Sequence, residues 1–377
     1  MLKNYLKIAL RNLRKYKGYS FINIAGLAIG MTCSMLILIW VQEELSYDRF
    51  NKNADDIYRV VENQYYAGGE IFPVAVTPSA LAPALKAQYP EILNSTRLSF
   101  RGWTIGSGEK IFKESLAFVD PDFLDIFTLR FLKGDPQTVL AEPRSLIITQ
   151  EIAEKYFGEA DPLGKSLKIN NRDDFQVSAV IENIPRNAHI RYDCLLPFTY
   201  LGERGTNLNN WGSNSFYTYV LLQKNTPYKE LDKKIIDLIK RNRENSVTEI
   251  YLQPLTEIHL HSAGKYTADI GGHGDILYVR IFSIIALIVL LIACINFMNL
   301  ATARSERRAR EVGLRKVIGA RRPQLIRQFF GEAIFLSVIA FFAALLFTEL
   351  LLPVFNDLSG KTLALGQLEI PVFLAFL

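Results

Sequence analysis

At 377 residues the chain is long enough for two soluble domains, yet the 49% of it that is apolar is gathered into blocks that no soluble core requires. The formal charge of +5 is concentrated in two short stretches beside those blocks, which excludes an extended basic face for nucleic acid. Of three cysteines, Cys33 and Cys294 fall inside apolar blocks, so Cys194 stands alone in the long middle segment and no disulfide framework holds it.

In residues 1–20, Leu2, Tyr5, Leu6, Ala9 and Leu13 form a helical stripe opposite Lys3, Lys7, Arg11 and Arg14. That is the pattern of a helix lying in the membrane interface on the cytoplasmic side, and Gly18 is expected to end it. Residues 21–41 then run without a charge for about 21 residues, which at about 1.5 Å per residue crosses a hydrocarbon core of about 30 Å. A signal peptide has an apolar region of only about 7 to 15 residues, and Gln42-Glu43-Glu44 stands where its cleavage site would be, so an uncleaved first span is read. Gly26 and Gly30 give this span a GxxxG spacing suited to close helix packing.

Residues 42–278 hold more acids than bases and alternate strand-like with helix-like runs, predicting an α+β domain. Strands are expected at 57–62, 115–119, 146–149, 175–181, 216–222 and 250–253, and helices at 79–88, 122–127, 150–157 and 229–243. Gly271-Gly272-His273-Gly274 marks a hinge before the next apolar block. Second and third spans follow at 279–300 and 333–352, the latter carrying Thr348 and Glu349 near one end. Asn296 and Asn299 are placed to hydrogen-bond between helices. Residues 353–369 read as a short outer loop, and 370–377 as the start of a fourth span cut short. The fold class is therefore α-helical transmembrane spans with a large α+β extracytoplasmic domain inserted between the first and second. Positive-inside placement of the N-terminus and of the arginine-dense connector at 301–332 puts both in the cytoplasm, opposite the acidic domain.

That connector carries Arg304, Arg307, Arg308, Arg310, Arg315, Lys316, Arg321 and Arg322 around an apolar patch of Leu314, Val317 and Ile318 at helical spacing. Gly319-Ala320 breaks the helix and Pro323 starts the next. A short amphipathic helix of this kind suits a groove on a partner. Arginines that only anchor the spans at anionic headgroups are the plainer explanation.

Several local patterns point elsewhere and fail. Residues 158–166 (GEADPLGKS) have one residue too many between the glycines for a phosphate loop, and Pro162 removes a backbone donor. Leu358-Ser359-Gly360-Lys361 begins like an ABC signature without its continuation. His259 and His261 would share one face of a strand, but four histidines without HExxH or a cysteine pair assign no metal. Asp173-Asp174 reads as a solvent turn. No nucleophile, base and oxyanion set can be named, so no catalytic, cofactor or metal residue is assigned.

Taken in order, the stretches NYLKIALRNLRKYKGYSFINIAGLAIGM from Asn4, Val119-Asp120-Pro121-Asp122-Phe123, Ile147-Ile148-Thr149, Tyr156-Phe157-Gly158, Asp161-Pro162-Leu163-Gly164-Lys165, Asn187-Ala188-His189, Gln253-Pro254-Leu255-Thr256-Glu257-Ile258-His259-Leu260 and ACINFMNLATARSERRAREVGLRKVIGA from Ala293 resemble MacB/FtsX-type ABC transporter permeases, in particular the N-terminal half of the long, duplicated form common in Bacteroidetes. The resemblance implies a MacB-like periplasmic core domain, a cytoplasmic (inner) membrane location, and a permease that couples ATP hydrolysis on a separate cytoplasmic ABC ATPase to movement of that domain. ATP and Mg would be bound by the ATPase and no cofactor by this chain. It places the ATPase contact on Arg308, Glu311, Leu314, Arg315, Lys316, Val317, Ile318, Gly319 and Arg321. It further implies a second permease half or subunit as dimer partner, contact with membrane lipid, and no nucleic acid, and it admits a periplasmic adaptor with an outer-membrane channel. Cargo in the family includes peptides, antibiotics and lipoproteins. The alternative is a membrane-anchored extracytoplasmic sensor, or an activator of cell-envelope enzymes without transport.

Overall fold

The computed structural model describes residues 17–140, 142–307, 317 and 322–368. The chain falls into two compact units, one helical and one, Ser46–Asp275, built on a sheet. The interfacial helix expected in residues 1–16, and every ATPase-contact residue named above except Val317, lie outside the described residues.

The sheet unit holds twelve strands: β1 (Ile57–Tyr65), β2 (Ile71–Val74), β3 (Thr77–Pro78), β4 (Ile92–Ser107), β5 (Lys110–Val119), β6 (Phe131–Lys133), β7 (Ser145–Thr149), β8 (Ser166–Ile169), β9 (Asp173–Ile181), β10 (Cys194–Pro197), β11 (Asn214–Leu222) and β12 (Thr248–Pro254). Their order is β12-β1-β11-β4-β5-β10-β7-β9-β6, with β2 on β1, β3 on β11, and β8 on β4 and β9. Pairing is antiparallel except for β10 with β5 and β7 with β9. The helices are α1 (Leu81–Gln88), α2 (Phe123–Ile126), α3 (Gln150–Phe157), α4 (Thr199–Glu203), α5 (Tyr228–Ile235), α6 (Leu238–Asn242) and α7 (Leu255–His261). This is the α+β class expected.

Side-chain alternation sorts β1 into two faces. Tyr58 and Val60 join Val220, Leu222, Ile250 and Leu252 in a core with Leu81 and Leu85 of α1 and Leu231 and Ile235 of α5. Ile57 points the other way, into a core with Tyr219, Leu221, Phe123, Ile126, Leu255 and Ile258. The far half of the sheet has its own core, in which Ile152 and Tyr156 of α3 pack on Phe118, Leu146, Ile148 and Phe175. Thr149 begins α3 by accepting the Ile152 N–H, and Gly158, at φ 60°, ends it.

Several elements differ from expectation for identifiable reasons. The sixteen-residue β4 is masked in the sequence by Asn94, Ser95, Thr96, Arg97 and Ser99, yet Thr96 and Ser99 are buried and the backbone pairs with β11 and then β5. Asp173 and Asp174 open β9; the turn before them is Asn170-Asn171, both left-handed as a tight hairpin requires. Asp173 then accepts hydrogen bonds from Tyr200 (2.6 Å) and Arg144 (2.8 Å). The expected helix at 229–243 is divided at Ile236–Asp237 into α5 and α6, which lets Leu238 and Ile239 turn back into the core.

Among the described residues of the helical unit, three helices are long and apolar enough to cross a membrane: a first span, Lys17–Leu45, a second, Ile276–Arg307, and a third, Arg322–Ser359. Gly18 lies within the first helix rather than ending one. Pro323 stands in the first turn of the third, as expected, but that helix continues through Pro353 to Ser359, so the outer loop is shorter than residues 353–369. Proline is tolerated inside membrane helices where neighbouring groups satisfy the freed carbonyl. The first span packs on both others. Thr32 Oγ1 donates to Ala344 O of the third (3.3 Å) and Ser34 Oγ to Ala286 O of the second (2.9 Å). At its outer end Glu44 pairs with Lys361, beyond the third span.

Glu62, on the helix-covered face of β1, is fully buried; Gln64 and Asn214 donate to one oxygen while the other has no partner among the described residues. Burial, opposed by those two hydrogen bonds, pushes its carboxyl from 4.5 up to about 8. A raised acid stabilises the fold fully below the unfolded value of 4.5 and loses that contribution as pH rises through about 8. Glu62→Gln should therefore flatten the fall in the domain's unfolding midpoint across that window, measured by denaturant titration at stepped pH. A second test concerns Gly30. A Cβ there would overlap that of Ala293 on the second span, whereas one at Gly26 would meet only the Asn296 amide, at 3.3 Å. Gly30→Leu should lower the thermal midpoint of the full chain in detergent, with an overpacking cost of about 1–3 kcal/mol, and Gly26→Ala should cost less.

Candidate functional site

Two segments join the sheet unit to the spans: an entry strap, residues 46–51, directly after the first span, and an exit strap, residues 262–275, directly before the second. The exit strap is fastened directly to Arg59 of β1, and the entry strap reaches Tyr219 of β11 through His189.

The entry strap turns at Asp48, whose φ of 61° is left-handed. Asn187 fixes the turn: its side-chain amide donates to Ser46 O (3.1 Å) and Ser46 Oγ (3.0 Å), and its carbonyl accepts the Asp48 N–H (2.8 Å). The Asp48 carboxylate accepts the His189 N–H (3.1 Å), and His189 Nδ1 lies 2.8 Å from the same oxygen. His189 Nε2 in turn meets the Tyr219 hydroxyl of β11 at 2.8 Å. Asn51 closes the strap by donating to Asp48 O (2.9 Å) and accepting the Thr128 N–H (3.0 Å). The Asn187-Ala188-His189 motif is thus the clasp of the first strap.

The exit strap is pinned by Arg59, a guanidinium with no solvent exposure on the strap-facing side of β1. Its register neighbours are Tyr219 on β11 and Gln253 on β12, so the three form one rung across three strands. Arg59 donates to Gln253 Oε1 (2.8 and 3.2 Å) and Ser262 Oγ (3.4 Å), forms a two-pronged pair with Asp269, and lies 5.4 Å from the centre of the Tyr266 ring. His273 Nε2 lies 3.1 Å from the second Asp269 oxygen. Burial alone would raise the Asp269 carboxyl; His273 and Arg59 outweigh it and hold it at about 2. The strap backbone also pairs with the sheet edge, Thr267 N–H donating to Pro73 O (2.9 Å) and Thr267 O accepting the Ala75 N–H (3.0 Å). The Tyr217 hydroxyl donates to the carbonyl of Ala268, a left-handed residue at φ 55°.

One side chain touches both straps. His259 on α7 stacks flat on Tyr47 of the entry strap, with centroids 3.4 Å apart and planes 2° from parallel, and its Nδ1 accepts the Gly274 N–H (3.4 Å) of the exit strap. His259 and His261 would share a face only on a strand; they lie on α7, where a separation of two residues sends them to different faces, and His259 is buried while His261 is exposed. The described residues contain no group of three or more His, Cys, Asp or Glu able to hold a metal. Residues 158–166 run from a helix into a strand, the reverse of the order a phosphate loop needs.

Of the expected packing residues, Gly26, Gly30 and Asn296 come together between the first two spans, while Asn299 is exposed on the second. Val317 is 88% exposed, and Glu349 is exposed on the third span. Sequence reasoning did not single out Tyr47, Asp48, Arg59, Tyr219 or Asp269. The available signal was Arg59 itself, a charge set between Ile57, Tyr58, Val60 and Val61 in β1.

Comparison with known proteins matches residues 20–238, more than half of the chain, to the MacB-like periplasmic core domain, and residues 283–377 to the FtsX-like permease C-terminal region. A macrolide export ATP-binding/permease protein MacB of Neisseria meningitidis is 25% identical over 259 residues, 67% of this chain and 38% of that protein. An uncharacterized ABC transporter permease, YknZ, of Bacillus subtilis is 25% identical over 230 residues, 59% of this chain and 53% of its own. The chain thus spans less than two thirds of either relative. Among solved structures, a permease-protein domain from Porphyromonas gingivalis covers 54% of this chain and 91% of its own at 24% identity, with a TM-score of 0.49.

Because Asp269 is held below its ordinary 3.8, its contribution to stability is present above that pH and lost as pH falls through about 2. Asp269→Asn should remove that acid-side loss and, by leaving the Arg59 charge buried without its anion, destabilise the domain at neutral pH by about 3–5 kcal/mol. Urea unfolding of the full chain at stepped pH measures both effects.

Proposed function

The chain belongs to the MacB/FtsX-type family of ABC-transporter permeases, as a membrane protein with an extracytoplasmic domain, and from that premise we propose that it converts ATP hydrolysis on a separate cytoplasmic ATPase into movement of this domain. The observation that carries the reading is the pair of straps. Each continues a membrane helix, and each is clasped to the sheet by buried polar contacts instead of hanging as a flexible linker. Displacement of a span is therefore delivered to β1, β11 and β12.

On this reading the chain is a non-catalytic permease subunit of an exporter or mechanotransmission complex in the cytoplasmic membrane. Its N-terminus and the 301–332 connector face the cytoplasm and its domain lies in the periplasm. The ATPase contact is Arg308, Glu311, Leu314, Arg315, Lys316, Val317, Ile318, Gly319 and Arg321. The exposure of Val317, a branched apolar side chain, supports a docking face there. Gly26 and Gly30, with Asn296 and Asn299, serve packing among spans within the permease. A second permease half or subunit is its partner in the membrane, and the cargo is of the peptide, antibiotic or lipoprotein class.

The test is to purify the full-length protein from its membrane and recover the ATPase with it. Leu314→Asp and Arg315→Ala should abolish co-purification and lower permease-stimulated ATP hydrolysis about tenfold or more, the loss of about 1.4 kcal/mol or more of coupling. Unchanged association and unchanged hydrolysis in both variants would remove the connector from the docking role.

A further inference from the structure

The entry clasp ends on Tyr219 and the exit pin centres on Arg59, and these two residues are direct partners across β11 and β1. Following the contacts, Asp48 faces His189, His189 meets Tyr219, Tyr219 stands beside Arg59, and Arg59 holds Asp269, which faces His273. Every member of this chain is buried or nearly so, and Arg59, Tyr219 and Asp48 have almost no exposure. Burial pushes the Tyr219 phenol well up, Arg59 opposes that rise, and Asp269 and Asp48 both add to it, so one hydroxyl lies within electrostatic reach of the acids of both straps. A buried polar network in low dielectric behaves as a unit, because a member left without its partner loses solvation as well as a bond.

We infer that the Tyr219–Arg59–Gln253 rung is a positioning element that couples the two straps, so that releasing either one loosens the other. The inference deepens the mechanical reading above and rests on it for its purpose, although the coupling itself needs no ATPase. Mechanically, a single strap would transmit only what its own span does. Two straps joined through the rung make the sheet respond to both spans together, and the coupling is necessarily reciprocal.

The experiment is hydrogen exchange on the full chain in lipid nanodiscs, without nucleotide. Asp48→Asn weakens the entry clasp. It should accelerate exchange not only at the Asp48 and Asn51 amides but also, by about 5-fold or more, at the Thr267 and Gly274 amides of the exit strap. In a Tyr219→Phe background, which removes only the hydroxyl, Asp48→Asn should no longer reach the Thr267 amide, the readout that counts here because His259 touches Tyr47 and the Gly274 N–H by a separate route. Rescue of strap independence by so small a change is not expected of a merely structural residue, whose loss would loosen both straps regardless of Asp48. Should Asp48→Asn fail to fold, His273→Ala provides the reverse measurement, with the same factor expected at Asp48 and Asn51. Acceleration confined to the perturbed strap in the parent background overturns the coupling, and transfer to Thr267 that survives Tyr219→Phe overturns the assignment to the rung. If transfer is present but strap variants leave ATP hydrolysis unaltered, the rung stands and the ATPase-driven function falls; the opposite pair of results does the reverse.

Discussion

A guanidinium buried in the middle of a sheet is expensive unless its donors find acceptors and its charge finds an anion. Arg59 imposes that requirement on everything near it. Gln253 supplies a neutral acceptor from the next strand, Ser262 a hydroxyl, and Tyr266 an aromatic face; the anion, Asp269, can be delivered only if the chain after α7 comes back across the sheet. The course of the exit strap is thus dictated by a charge placed more than two hundred residues earlier. Such pairs add little to net stability compared with a well-packed apolar substitute, but they discriminate sharply against wrong positions of the partner. Here the discriminated quantity is where the polypeptide leaves the domain for the membrane.

The opposite face of β1 shows what happens when that requirement is not met in full. Among the described residues Glu62 receives two amide donors at one oxygen and no partner at the other, and burial raises its carboxyl to about 8. Arg97 is the intermediate case. Asp120, from the Val119-Asp120-Pro121-Asp122-Phe123 stretch, accepts from its Nε (2.9 Å), its Nη2 (2.7 Å) and its own backbone N–H (2.8 Å), while the guanidinium lies 4.1 Å from the centre of the Phe198 ring. The short motifs that resemble the family are largely devices of this sort: Asp120 fastens α2 and its turn to β4, Asn187 and His189 fasten the entry strap, and His259 touches both straps.

Much of the architecture was legible in the sequence because apolar length and charge asymmetry are one-dimensional signals. The spans, the α+β character of the inserted segment and the position of six strands follow from them. What escaped was decided by tertiary context. β4 is rich in Asn, Ser, Thr and Arg, and is a strand because β11 and β5 supply pairing on either side of it. No element was assigned directly after the strand at 250–253, where Pro254 ends β12 and Leu255 and Ile258 bury one face of a helix. The strap contacts were beyond reach because each joins residues far apart in sequence: Asp48 with His189, Tyr47 with His259, Arg59 with Asp269. Only Arg59, set among apolar neighbours in β1, and the motifs at Asn187 and His259 pointed toward them.

The close approach of Gly30 to Ala293 limits how the first two spans can move against each other. With no side chain at Gly30, the Ala293 methyl seats against bare backbone, and one turn away Gly26 leaves room that only the Asn296 amide approaches. The two helices are spaced at this level by backbone and a single methyl, so any bulkier side chain would act as a wedge, prising the first span off the second.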